Sequence, residues 1–441
     1  MIRDDEKLFV HLSDIHFRSK EIIRRDDPNA GLRDDLVADV ALMRREIGRP
    51  ADGILISGDI AFAGAADEYT FAYEWLKSTL CPAAGCRIED VFVIPGNHDV
   101  DRRQAATPAH KDVRRKLRDY PADQSDDILR SYLSDPFSSQ MLFGPIENYN
   151  RFAAEFVCNL AAEDPKKPDR KPFAVRDWKL KGGSTLRIWG FNSVLVCDEH
   201  DAPGNMFVDP AAAQITRDGP NVTHVVMCHH PYGWLKNGGP FRERIENVAK
   251  LHLFGHEHTR RVEEGRRFTT IRAGAVHPDR NEPGWDPGYN WINLSFEHDG
   301  GKRHLDVEIW VRKREGARFI AVPDPENANP WSVRHALPDW FPPAAPQTAD
   351  ATGPPAGVPT EMKASDESPR VTMRTVVSKM FRLPEHLQRQ LIVALSLDED
   401  GDQALKDYEF VLAAVRRAKE RNQLVDLNDR ADEALGSGDA V

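Results

Sequence analysis

Five short blocks place carboxylate, imidazole and amide side chains just past apolar runs: SDIH at 13–16, SGD at 57–59, PGNHD at 95–99, CHHP at 228–231 and GHEH at 255–258. In SDIH and GHEH a spacing of two sets both polar side chains at one strand end or tight loop, where a slight twist lets them converge. Glycines at 58, 96 and 255 permit a sharp exit from the preceding strand. The donors are oxygen and nitrogen, with no thiolate, a set that suits divalent Mn, Fe or Zn. Two such ions about 3.5 to 4 Å apart clamp the attacking and leaving oxygens of an in-line phosphoryl displacement and activate water as the nucleophile. No protein nucleophile is then required.

Taken singly the blocks say little, because a histidine near a strand end is often structural. Their order is more specific. D-x-H, G-D, G-N-H-D, H-x-P and G-H-x-H, over about residues 8 to 295, resemble the calcineurin-like metallophosphoesterase superfamily. The resemblance implies a four-layer αββα sandwich with a dinuclear centre. Asp14, His16 and His258 would hold one ion, Asn97, His229 and His256 the other, and Asp59 would bridge them. It also implies that His98 stabilises the transition state and protonates the leaving alkoxide, with Asp99 orienting it. His229 is favoured over His230 because the family's ligand usually sits two residues before a proline. His11, inside the first strand, reads as a core or supporting residue, and Cys228 as a small buried apolar one.

The elements that must position these residues are legible as apolar runs rich in Val, Ile and Phe alternating with amphipathic stretches, the pattern of an α/β domain. The expected strands are LFVHLS, GILIS, VFVIP, LRIWGFN, VTHVVMC, LHLFG, FTTIRAG, YNWINLSF and HLDVEIWV. Chemistry in such sheets sits beyond the carboxyl ends of strands. Residues 101–170 interrupt the alternation with a charged, helical insertion. The domain so read spans residues 1–330, a Pro/Ala-rich linker 331–369, and a helical module 370–441. The module reads as a helical hairpin, with Leu387, Leu391 and Leu395 on one face and Tyr408, Val411, Leu412 and Val415 on another.

Within that module DEDGDQALKDYE, 398–409, aligns with an EF-hand calcium loop. Asp398, Asp400 and Asp402 fall at positions one, three and five and Glu409 at twelve. Gln403 stands where the sharp turn needs glycine, so an acidic helix-capping turn is the favoured reading over calcium binding. A helical unit on a long linker after an enzyme also resembles the effector-associated adaptor domains of bacterial multi-component defence proteins, which implies recruitment of a protein partner.

Bulk properties narrow the function class. A net charge of −11 argues against a protein that coats nucleic acid or anionic membrane nonspecifically. No run approaches the ~18 apolar residues of a membrane span, the start MIRDDEKLFV has no export-signal pattern, and five cysteines lack paired spacing. The expectation is a cytoplasmic protein. GDIAFAG and GNHD differ from the V-D-R-G and G-N-H-E of serine/threonine protein phosphatases and look more like the cyclic-nucleotide phosphodiesterase and nuclease branches. Between Asp101 and Arg118 seven Lys or Arg stand against two Asp. This segment reads as a solvated helix face or as a receiver for a polyanion. Tyr232 and Trp234 are candidates to stack on a base. The leading expectation is hydrolysis of a nucleotide-like phosphodiester. The alternatives are a DNA or RNA nuclease and an interaction component recruited through its C-terminal helices.

Overall fold

The structure is a computed structural model that describes residues 5–24, 27–164, 170–209, 215, 221–277, 287–299, 302–338 and 371–436. The chain divides into two compact units at Trp340/Phe341.

Among its described residues the first unit has thirteen strands: β1 (Glu6–Leu12), β2 (Gly53–Ile56), β3 (Val91–Val93), β4 (Phe173–Lys179), β5 (Thr185–Phe191), β6 (Val222–Cys228), β7 (Ala249–Phe254), β8 (Arg261–Glu264), β9 (Thr269–Arg272), β10 (Gly288–Asp299), β11 (Lys302–Glu315), β12 (Arg318–Val322) and β13 (Trp331–Leu337). One sheet runs β12-β11-β10-β1-β2-β3, with β13 also paired to β11; the other runs β4-β5-β6-β7-β9-β8. β1, β2 and β3 are parallel, as are β5, β6, β7 and β9. The short runs GILI and VFV are buried along their whole length, as parallel strands covered on both faces must be. The sheets meet through an apolar interior in which Phe9 of β1 packs edge-on against Trp178 of β4 at 5.2 Å between ring centroids. Helices such as Ala30–Ile47 and Gly238–Val248 flank the sheets, giving the four-layer αββα sandwich.

Four strands were not anticipated from sequence. β4 and β8 are the edges of the second sheet and mix apolar with charged residues, which weakens a strand signal based on continuous apolar runs. β13 corrects the expected boundary, because residues 331–337 belong to the first sheet and not to the linker. The rest of the expected linker, residues 339–369, lies outside the described residues. After β3 come helices at Arg102–Ala105, Pro108–Asp119, Ser125–Ser134, Pro136–Phe143 and Glu147–Ala154. No helix among the described residues is long and apolar enough to cross a membrane.

Among its described residues the second unit has four α-helices, Met373–Phe381, Glu385–Ala394, Asp407–Glu420 and Leu424–Gly436, where the sequence suggested a hairpin. Two helices expose too much apolar surface to stand alone. Here Val376, Val377, Met380, Ile392, Tyr408, Val411, Val415, Leu427 and Ala431 bury one another in a shared core. In the EF-hand-like segment both carboxylate oxygens of Asp402 accept from Arg417, at 2.6 and 2.7 Å, and Asp402 also accepts the Glu399 N–H at 2.9 Å. Glu409 caps its helix by accepting the Lys406 N–H. Arg417 thus supplies the positive charge that a calcium ion would bring. Asp402→Ala is expected to destabilise this unit by about 1 to 3 kcal/mol, since it removes both carboxylate acceptors of a half-buried guanidinium and leaves it the Leu397 carbonyl and Glu399. Millimolar calcium is expected to leave the wild-type melting temperature unchanged, as followed by circular dichroism.

Candidate metal centre

Five strand ends from two sheets deliver the polar blocks to one place. β1 ends into Asp14 and His16, β2 into Asp59, β3 into Asn97 and His98, β6 into His229 and His230, and β7 into His256 and His258. The backbone at the exits is unusual. Asp14, His16, Asp59, His256 and His258 have φ of 55°, 53°, 54°, 70° and 52°. Left-handed conformations in residues with a Cβ cost on the order of 1 to 3 kcal/mol each and persist only where the surroundings enforce them. The fold therefore spends stability on aiming these side chains. Gly96 and Gly58 make the approach possible. A Cβ on Gly96 would lie 2.1 Å from Asp59 Oδ1, and one on Gly58, whose φ is +102°, would lie 2.5 Å from His229 Nδ1. Gly96→Ala is expected to push Asp59 out of place, lowering both thermal stability and metal content, measured by calorimetry and elemental analysis.

The donors form four overlapping trios, each with its donor atoms within 4.8 Å of one another: Asp14, His16 and His258; Asp14, Asp59 and His229; His229, His230 and His256; and His16, Asp59 and His98. Their hydrogen bonds fix which ring nitrogens carry lone pairs. Carbonyl oxygens only accept, so His16 Nδ1 donates to the His277 carbonyl at 3.0 Å and His229 Nδ1 donates to the Ser57 carbonyl at 2.8 Å. In the neutral rings both Nε2 lone pairs then face other acceptors. His16 Nε2 lies 3.1 Å from Asp59 Oδ2, and His229 Nε2 lies 3.0 Å from Asn97 Oδ1 and 3.4 Å from Asp59 Oδ2. Asn97 Oδ1 is also 3.0 Å from His256 Nδ1, and Asp14 Oδ1 is buried with no hydrogen bond, 3.2 Å from His258 Nε2. Lone pairs so opposed repel unless a cation, either a proton or a metal ion, joins them. The donor set fits divalent metal.

The proton equilibria show the same demand for positive charge. Burial disfavours charged His229, but Asp59 and Asp14 outweigh it and raise its pKa to about 9; His16 is raised against burial by Asp59. Burial would likewise raise Asp14, but His258 and His229 hold it at about 2, and Asp59 lies well below its ordinary value despite burial because of His229 and His98. His256, where burial dominates, is lowered to about 3.

His98 faces this cluster. Its N–H donates to Asp59 Oδ1 at 2.8 Å, its ring lies 4.6 Å from that of His16, and its Nδ1 donates to the Phe62 carbonyl at 2.8 Å. Burial lowers its pKa to about 4. Asp99 differs from the expectation that it orients His98. It is buried and accepts from the backbone N–H of Ile60, Ala61 and Gly96 and from the Tyr69 hydroxyl. The tight turn Asn97–Asp99 sends its side chain inward, so it ties the G-D and G-N-H-D loops together, while a backbone carbonyl orients the His98 ring.

His230 turns from Asn97 toward Ser193, with Nδ1 2.8 Å from the Ser193 hydroxyl. His11 supports the site through Ser57, with Nε2 3.0 Å from its hydroxyl. Cys228 is buried, which pushes its thiol up to about 12. Trp234 packs its ring 4.0 Å from that of His256, whereas Tyr232 turns away to His252 and Phe254. Sequence reasoning missed the Ser57 and His277 carbonyls, since backbone acceptors leave no mark in residue type, and the Ser193 hydroxyl, which lies in none of the five blocks.

Over 94 residues, 21% of this chain and 29% of the other, the sequence is 36% identical to the glycerophosphodiester phosphodiesterase GpdQ of Enterobacter lignolyticus (strain SCF1), so the match spans less than a third of that protein. Solved structures that resemble the chain include GAP50, the anchor in the inner membrane complex of Plasmodium, with a TM-score of 0.40 and 10% identity over 76% of this chain and 90% of that one. A putative 5′-nucleotidase from Staphylococcus aureus has a TM-score of 0.36 and 12% identity over 73% and 56%. No functional reading rests on these structural likenesses. The sequence pattern of the calcineurin-like phosphoesterases matches residues 7–260, more than half of the chain, and the chain belongs to that family.

Proposed function

We propose that the chain hydrolyses phosphodiesters of nucleotide-like molecules at a dinuclear metal centre. Asp14, His16 and His258 would hold one ion, Asn97, His229 and His256 would hold the other, and Asp59 would serve both. The observation that carries this reading is the set of ring lone pairs pinned by carbonyls to face the Asp59 and Asn97 oxygens. Mn, Fe or Zn bound there would supply charge to the phosphoryl oxygens and lower the pKa of water. The protein's own work is positioning and proton supply. Ser57 and His277 lock the two rings, Asp99 holds the loops that carry Asp59 and Asn97, and the Phe62 carbonyl keeps the His98 Nδ1 proton in place. An arriving phosphate anion favours the imidazolium form of His98, whose Nε2–H then donates to the leaving oxygen.

The GpdQ match supports a diester substrate, and Trp234, half-exposed beside His256, supports one with a planar base. Five cysteines, with no disulfide among the described residues, support a reducing, cytoplasmic setting. A nuclease is the second reading, favoured by exposed Arg102, Arg103, Arg115 and Lys116 on the insertion. A substrate panel with Mn-loaded protein separates the two: cyclic mononucleotides, single- and double-stranded DNA and RNA, and phosphomonoesters. We expect diesters to exceed monoesters, small diesters to exceed polymers, and chelation to abolish turnover until Mn is restored. Monoester preference would sink the diester reading, and polymer cleavage with steep salt dependence would favour the nuclease.

A further inference from the structure

Five arginines are buried among the described residues, and four of them make hydrogen bonds or ion pairs through their guanidinium groups. Arg33 pairs with Asp27, and Arg312 pairs with Asp39 at 2.6 Å. Arg176 donates to the carbonyls of Val91 and Phe156, and Arg303 to the Asn221 carbonyl and the Thr223 hydroxyl. Arg114 is the fifth. It is 0% exposed, and none of Nε, Nη1 or Nη2 has a hydrogen-bond partner.

Its neighbours give it no hydrogen bond, although Asp198 and Asp201 act on its charge through space. Asp198 and Asp201, on the loop after β5, are engaged by Arg118 at 2.9 and 3.3 Å. Burial holds the Cys197 thiol well above its ordinary pKa and therefore neutral. Burial lowers Arg114 only to about 10, so it stays charged at neutral pH. One helical turn earlier, His110 presents a second unmet group. The Thr107 hydroxyl donates to the Gln104 carbonyl, so Thr107 Oγ1 accepts from His110 Nδ1–H at 2.6 Å, and His110 Nε2 is left as a buried acceptor with no partner. The two side chains share a helix face at i and i+4.

We infer that Arg114 and His110 form a binding site for a small hydrogen-bearing oxyanion of the phosphate class, separate from the metal centre. A guanidinium fork matches two oxygens of such an ion. A remaining P–O–H donates to the His110 Nε2 lone pair, which chloride or a carboxylate cannot do. The ion would fasten the helix Pro108–Asp119 to the loop after β5, which carries Ser193 and, through it, His230.

The test is thermal unfolding of the full, metal-loaded chain at pH 7 and constant ionic strength, with inorganic phosphate replacing chloride, in wild type, R114M and R114K. Phosphate bound at the metal centre shifts all three alike and subtracts out. At phosphate concentrations far above Kd the wild type is expected to gain about 3 °C or more over R114M. R114M in chloride is expected to be at least as stable as wild type, since it removes a buried guanidinium that has no hydrogen-bond partner. R114K, which keeps charge but loses the fork, is expected to show a reduced gain. Equal phosphate shifts in wild type and R114M would overturn the site. So would R114M being destabilised in every anion, which would mean that the fold itself satisfies the guanidinium. Should R114M not fold, a full wild-type shift in R114K overturns it equally.

Discussion

Asn97→Ala is expected to cost one of two bound ions and to lower diester turnover by more than about 100-fold, the upper range seen when only an outer partner of a metal ligand is lost. Asn97 Oδ1 is the point at which His229 Nε2 and His256 Nδ1 meet, each at 3.0 Å. Removing the amide takes away the only neutral oxygen in that trio and leaves the two imidazoles without the group that holds them together. The side chain is small and close to the surface, so the fold should survive. Metal content by elemental analysis and turnover on a chromogenic diester check both halves, and a variant that keeps two ions with full turnover contradicts the assignment.

His98→Ala is expected to act differently. Turnover should fall by about 10²- to 10⁴-fold, the usual worth of a positioned proton donor, while both ions remain. The His98 ring reaches the cluster but is anchored by the Phe62 carbonyl, and His98 holds Asp59 through its backbone N–H, which alanine retains. An activated leaving group such as nitrophenolate needs little protonation, so the deficit should shrink with falling leaving-group pKa. A deficit that stays constant across leaving groups would assign His98 to charge stabilisation alone, and loss of metal would make it a ligand, as its place in a trio with His16 and Asp59 also permits.

Much of this site could be read from residue order, and the reason is physical. Each block follows an apolar run that the structure shows as a buried parallel strand, so the strand end and the ligand are adjacent in sequence. What lay beyond reach was whatever depends on backbone direction. Asp99 follows His98 directly, yet the turn at Asn97–Asp99 sends it to Ile60, Ala61 and Tyr69. The carbonyls of Ser57 and His277 set the tautomers of His229 and His16, but any residue could have supplied them. The left-handed conformations of Asp14, His16, Asp59, His256 and His258 are likewise invisible where no glycine marks them.

The same limits explain the fold. The edge strands β4 and β8 and the closing strand β13 mix charged with apolar residues, whereas the central strands, covered on both faces, do not. In the C-terminal unit the periodic faces of Leu387–Leu395 and Tyr408–Val415 were legible. The short helices Met373–Phe381 and Leu424–Gly436 that cover them fell outside the hairpin reading. The basic run after G-N-H-D proved mixed. Arg114 and Arg118 turn inward and Lys111 pairs with Glu199, while Arg102 and Arg103 stay exposed.

The most direct measurement is the number of metal ions per chain, titrated into chelator-treated protein by calorimetry with Mn and confirmed by elemental analysis. Two ions bound to the wild type, falling to one in Asn97→Ala and to none or one in Asp59→Ala with the fold intact by circular dichroism, is the expected result. Wild-type protein that binds no ion, or whose bound ions are indifferent to both substitutions, would contradict the account.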